Sequence, residues 1–233
     1  MNISELRAQL EEDLAWRLDE LRRLRNALLG NLEEDSWPAS AIRALIVMQY
    51  AHLEGFVRNA FSLYVTAING EVLDASNIHP NLFASAMISE FESLRTGGGE
   101  QESEDARLTR RARKQVEFVK KLIAAGKSPL SIDSDVAVSM EMNFGTDVLR
   151  RTLYRLGLTE DSINNSHYSS LEFIRNARND IGHGSRRERI SPRMFEAHRV
   201  KCEQFMNDIV RLITTAVTEQ WYRVQPIGSS GAR

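Results

Sequence analysis

Residues 173–185 read F-I-R-N-A-R-N-D-I-G-H-G-S, and six of them, Arg178 to His183, hold an arginine, an Asn-Asp pair and a histidine. Histidine is the side chain that gives and takes a proton near neutral pH. Arginine is a permanent cation whose planar fork fits the oxygens of an anion. Such a pair suits proton transfer beside a charged group, provided the backbone brings the two together. Ile174, Ala177 and Ile181 are spaced i, i+3, i+7 and predict a helix seated on a core. Arg175 and Arg178 are one turn apart and can share a neighbouring face. Gly182 and Gly184 are poor helix formers, so the helix is expected to end near Ile181. On an unbroken helix five residues rotate by about 140°, which would send the Arg178 and His183 side chains apart. The glycine break is expected to let the imidazole swing back towards the guanidinium.

The bare spacing is not specific, because Arg193 and His198 repeat it in R-M-F-E-A-H. There no break intervenes, and a helix surface is the expected reading. For the first copy, a helix C-terminal cation at Arg178 and a loop-packing role for His183 stay open on the motif alone. Two other strings bear on the choice. Tyr50–Val57 reads Y-A-H-L-E-G-F-V, and residues 143–158 read N-F-G-x-x-V-L-x-x-x-L-x-x-L-G-L. Together the three resemble HEPN domains, an all-α superfamily with an R-x4-6-H motif and a polar residue after the arginine. The Y-A-x-x-E-G-F and N-F-G strings are similar to those of the small stand-alone prokaryotic HEPN proteins called RiboL-PSP-HEPN.

That resemblance implies a metal-independent endoribonuclease in which two protomers line one composite cleft with both motifs. His183 would activate a ribose 2′-OH or protonate the leaving 5′-oxygen, and Arg178 would hold the phosphate. Asn179 and Asp180 would orient these groups or the substrate, and Arg175, Arg186, Arg187 and Glu54 would bind RNA. The product would carry a 2′,3′-cyclic phosphate, with no metal and no cofactor. The implied partners are an RNA substrate, a second copy of the chain and an antitoxin protein, as in toxin–antitoxin or phage-defence systems. A non-catalytic module that binds RNA or a nucleotide, or that stabilises an oligomer, is the alternative.

The elements that must position these residues are helical. Leu10, Leu14, Leu18, Leu21 and Leu24 predict an amphipathic helix from about Ile3 to Leu29, closed by Gly30. Ser36-Trp37-Pro38 is expected to open a second long helix, with Pro38 in its first turn, running to about Ile68. Its stretch Ala44–Met48 is apolar all round, which predicts a helix surrounded by others. In it, Gly55 permits close approach, and Glu54 pairs with Arg58 or, if buried, with an arginine of the motif. His52 reads as packed. Residues 71–139 read as a helical insertion: a loop with His79, a helix capped by Asn81 to about Leu94, and a polar helix over Ser103–Ala125. The latter's Arg107, Arg110, Arg111, Arg113 and Lys114 suit a solvated face or contact with an RNA backbone. Val148, Leu149, Leu153 and Leu156 predict a further helix ending at Gly157, and His167 sits near the start of the motif helix with no evident role. Ser191-Pro192 opens the last helix, whose stripe runs from Phe195 through Cys202 and Phe205 to Ala216.

No sustained alternation predicts a strand. The expected fold is all-α, an antiparallel HEPN-like helical bundle in a single domain over 1–225, with a flexible tail at 226–233. The net charge of −2 excludes wholesale polycationic nucleic-acid binding, so any RNA contact must be local. One cysteine, Cys202, excludes an internal disulfide and a cysteine-rich zinc site. Charged residues interrupt every long apolar run, so neither a membrane span nor a secretory signal is expected, and the cytoplasm is the expected compartment.

Overall fold

Asn2 starts the first helix by accepting the Glu5 N–H at 2.8 Å, and α1 then runs over Ile3–Leu29. Its leucine stripe behaves as the spacing requires, with Leu6, Leu10, Leu14 and Leu21 all buried. Gly30 ends it at φ +54, a conformation only glycine adopts cheaply. α2, Ala39–Asn69, differs at its start from the expected pattern. Pro38 is the N-cap, one position outside the helix, because Trp37 is buried beneath the turn and donates its indole N–H to the Leu32 carbonyl at 3.1 Å. The computed structural model describes residues 1–95, 103–138, 143–184 and 190–224.

α2 is the axis of the molecule, packed against α1, the motif helix α8 (Tyr168–Gly182) and the last helix α9 (Pro192–Thr218). Phe56, Phe61 and Tyr64 along it are wholly buried, and truncating one such ring to alanine would cost about 3–5 kcal/mol. α1 lies antiparallel to α2, since the Met1 nitrogen sits by Gly70 at the far end of α2 and Arg17 meets Gly55 near its middle. Gly55 leaves room at that crossing: a Cβ there would lie 2.7 Å from the Arg17 Nη1 and would push the guanidinium aside. Thus the close approach it permits is to a guanidinium of α1. α9 runs the same way as α2, with Arg25 bridging Trp37 and Glu196 at one end and Ile78 bridging Arg223 at the other. α8 returns antiparallel to α9.

Ser191 and Pro192 open α9 as expected, the Ser191 hydroxyl accepting the Met194 N–H at 3.2 Å. Phe195, Cys202, Phe205, Ile209, Leu212, Ile213 and Ala216 are buried, and burial pushes the Cys202 thiol up to about 12. Within residues 71–139, α3 (Pro80–Ala86) is capped by His79, whose Nδ1 accepts the Asn81 N–H at 3.2 Å, so the capping residue is not Asn81. Asn81 instead donates to the Tyr154 carbonyl at 2.6 Å. The expected single helix breaks at Met87 into α3 and α4, Ile88–Arg95. α5, Glu104–Ala125, is capped by Ser103, packs on α4 and buries no residue. The ends of the segment are tied into the core through Leu73, Ile78, Leu82 and Ile132, and by two hydrogen bonds of 2.9 Å between Asn69 and Ile132. α6 (Ser134–Ala137) follows, and α7 (Thr146–Arg155) ends at Gly157 with φ +66, where the leucine pattern placed it. Among the described residues no strand forms and no helix is long and apolar enough to cross a membrane.

Candidate functional site

α8 continues through Gly182, and His183 is its C-cap, still right-handed at φ −85, ψ −1. Its N–H bonds the Asn179 carbonyl at 2.9 Å, and the Gly184 N–H bonds that of Ile181 at 3.1 Å. The break therefore falls at Gly184, with φ +68, one residue after the histidine. The helix thus ends within one residue of the expected Ile181, but the expected return of the imidazole is not what the structure shows. Gly182 is held by the helix's own hydrogen bonding, so His183 keeps the angular offset of about 140° from Arg178 that an unbroken helix imposes. No hydrogen bond joins Arg178 to His183 within the chain, and His183 is exposed.

Arg178 is half-buried and points at α2. Its guanidinium carbon lies 4.9 Å from the centroid of the Tyr50 ring, and its Nη1 donates to Asn179 Oδ1 at 2.9 Å. Asn179 in turn donates from Nδ2 to Asn143 Oδ1 at 3.2 Å. Tyr50 is only 2% exposed, and its hydroxyl has no partner at hydrogen-bonding geometry. Burial and then the neighbouring Glu54 carboxylate push that phenol well above its ordinary pKa, while the Phe144 backbone and Arg178 pull the other way. Glu54 lies one turn along α2 and pairs with Arg58 at 3.7 Å, not with an arginine of the motif. Glu172 pairs with Arg175 on α8 itself. With both carboxylates engaged, no ion pair reaches Arg178 among the described residues.

The Asn143-Phe144-Gly145 string is the third wall. Phe144 is buried against Phe205, with ring centroids 6.4 Å apart. The Glu172 carboxylate accepts the Thr146 N–H at 2.7 Å and so holds the start of α7. α8 presses on Gly145, where a Cβ would meet Arg175 Nη1 at 2.6 Å and Glu172 Oε1 at 2.9 Å, so those side chains would have to shift to admit one. The tyrosine string of α2, the N-F-G string and the R-N-D-I-G-H motif are thus one physical cluster. Asp180 is half-buried on the same helix. Arg186 and Arg187 lie outside the described residues.

The other histidines have structural roles. His198 stacks on Phe173, with ring centroids 3.9 Å apart, and its Nδ1 is 2.9 Å from the Ser170 hydroxyl; burial lowers its pKa. The second R-x4-H copy is therefore split between an exposed Arg193 and a packed ring. His52 is buried beside Trp16 and lies 3.3 Å from Glu20. His167, which the sequence left without a role, is buried at the start of α8 with its Nε2 2.8 Å from Asp208 Oδ2 of α9. An acidic residue beside the apolar stripe of α9 was the one signal that could have pointed to this pair.

An all-α bundle that carries an R-x4-H motif at the end of a core helix, backed by these two strings, is a HEPN-type domain. The chain belongs to the RiboL-PSP-HEPN family, whose model matches residues 12–215. HEPN domains are ribonuclease-like or RNA-binding modules that often dimerise. No curated protein and no solved structure matches the chain.

Proposed function

We propose that this protein is a metal-independent endoribonuclease acting in the cytoplasm as a toxin of a toxin–antitoxin or phage-defence system, with an antitoxin protein as its regulator. The observation that carries the reading is Arg178: a guanidinium without a carboxylate partner among the described residues, on the same helix end as an exposed histidine that points elsewhere. An uncompensated cation on a rigid helix is a site for a phosphate. The angular separation of Arg178 and His183 within one protomer favours a two-fold dimer, in which two copies of the motif surround a single scissile phosphate.

In that cleft His183 accepts the proton of the ribose 2′-OH, and the 2′-oxygen attacks phosphorus. The bond to the 5′-oxygen breaks, a protonated histidine returns a proton to it, and a 2′,3′-cyclic phosphate remains. Arg178 stabilises the charge that develops on the phosphoryl oxygens, which is the largest electrostatic demand of the step. Asn179 fixes the guanidinium from one side. Asp180 orients the imidazole or the substrate, and Arg175, Arg186, Arg187 and Glu54 contact the RNA around it.

The test is RNA cleavage in excess EDTA by the wild type, His183→Ala, Arg178→Ala, Arg178→Lys and the exposed control Arg193→Ala, with light scattering on each. His183→Ala and Arg178→Ala should each lose about 10²–10⁴-fold. Arg178→Lys should recover only part of the loss, since an ammonium lacks the guanidinium fork. Arg193→Ala should match the wild type, and the cleaved RNA should end in a cyclic phosphate. A monomer at micromolar concentration, or cleavage that needs added magnesium, would overturn this mechanism. RNA binding without cleavage would leave a binding module.

A further inference from the structure

Aromatic faces attract cations through the ring quadrupole, and the attraction is larger where water is excluded. Tyr50 meets that description beneath Arg178. The ring is 2% exposed, belongs to the central helix of the bundle, and lies 4.9 Å from the guanidinium carbon. An arginine side chain has many accessible rotamers, so an unpaired guanidinium at a helix end would ordinarily sample many positions. Here the usual restraint, a carboxylate, is absent among the described residues, because Glu54 is engaged with Arg58 and Glu172 with Arg175. What remains is a flat apolar support on one side and the Asn143–Asn179 amide pair at the edge.

We infer that Tyr50 is a positioning residue: its ring, not its hydroxyl, holds the Arg178 guanidinium in place while leaving the charge unneutralised for an incoming phosphate. A carboxylate would hold the arginine as firmly but would compete with the phosphate for the same fork. An aromatic face orders the cation and leaves its N–H edge open. The hydroxyl is not what holds the guanidinium: Arg178 donates to Asn179, while the polar neighbours of the phenol are Glu54 and the Phe144 backbone. The neighbouring Glu54 pairs along its own helix with Arg58 at 3.7 Å and makes no ion pair with Arg178. This assignment deepens the proposed site and rests on that reading for its catalytic consequence, though not for its structural content.

Two measurements on the full chain separate the two. The first is NMR of the arginine Nε–H groups, with the Arg178 signal assigned by its loss in Arg178→Lys. Ring-current displacement and restricted motion of that signal should persist in Tyr50→Phe and disappear in Tyr50→Leu. The second is RNA cleavage. Tyr50→Phe should stay within about threefold of the wild type, whereas Tyr50→Leu should fall by roughly 10²-fold, the scale of a small misplacement of a reacting group. In the Arg178→Ala background, Tyr50→Leu should cost nothing further, because the group it positions is gone.

Phe61→Leu, another buried ring on the same helix and three turns on, controls for a weakened core and should change neither readout. An Arg178 signal unmoved by Tyr50→Leu overturns the positioning role, whatever the RNA assay gives. Equal effects of Tyr50→Leu and Phe61→Leu also overturn it. A displaced Arg178 signal with a wild type that does not cleave RNA upholds the positioning and sinks the ribonuclease reading alone.

Discussion

At Gly182-His183-Gly184 the two glycines do different jobs, and only one of them needs to be glycine. Gly182 is helical and a Cβ there would meet nothing within 4 Å, whereas Gly184 sits at φ +68. Gly182→Ala should therefore stabilise the protein by about 0.4–1 kcal/mol, by narrowing the unfolded ensemble at a position alanine can occupy. Gly184→Ala should destabilise it by about 1–2 kcal/mol, the cost of placing a Cβ in the left-handed region. Urea unfolding of the two variants would measure this; the same sign for both would contradict the backbone reading. Neighbouring residues of one type can thus carry opposite constraints, which composition does not distinguish.

At the scale of elements, the helices fall into two groups. α2 and α9 bury side chains along their whole length, while α5 runs for 22 residues without burying one. It is held to α4 by the Phe91–Phe118 ring contact, with centroids 5.3 Å apart, and by Lys121 to Glu90 at 3.3 Å. Exposed ion pairs of this sort contribute about 0–1 kcal/mol. Hydrogen exchange should therefore show α5 opening far more readily than α2 and α9, whose amides should exchange only with global unfolding. Protection of α5 equal to that of α9 would mean that the helix is covered in solution. By contrast the start of α8 is fixed twice, by His167 on Asp208 and by Phe173 under His198. That leaves its far end, with Arg178 and His183, on a firm base.

The whole molecule carries these packed histidines as a pH dependence. Burial lowers the pKa of His198, His79 and His52 below the ordinary 6.5, although Glu20 and Asp13 offset part of the effect at His52. In the unfolded chain each regains its ordinary value and binds a proton more readily than in the fold. Stability from these groups is fully present above about pH 7.5 and is lost as pH falls through 6.5 towards the depressed folded values. Thermal unfolding should therefore move to lower temperature between about pH 7.5 and pH 5.5, above the range where most carboxylates titrate. His198→Phe, which can keep the stack on Phe173, should make that dependence shallower. A melting temperature that is level or rises on acidification across this window would refute the account.

The sequence by itself determined the helices and most of their ends. Leucine spacing, Ser103, Ser191-Pro192 and Gly157 act within one or two turns, and the structure follows them. It also placed Arg178, Asn179 and His183 on one helix end, because a motif of six residues is itself local. Where the reading missed, the deciding force came from elsewhere in the chain. Trp37 sank beneath the turn and moved Pro38 out of α2, and the half-buried His79 took the cap from Asn81. The exception is local: His183 stayed at the helix end because the helical hydrogen bonding runs on through it to the Asn179 carbonyl. Only the tertiary structure decided that Tyr50 lies under Arg178, that Asn143 meets Asn179, and that His167 finds Asp208. Each pair is distant in the chain and is made when helices, and the segment leading into α7, dock on one another. Periodicity says which face of a helix is buried, but the partner that covers it depends on how all the buried faces pack together at once.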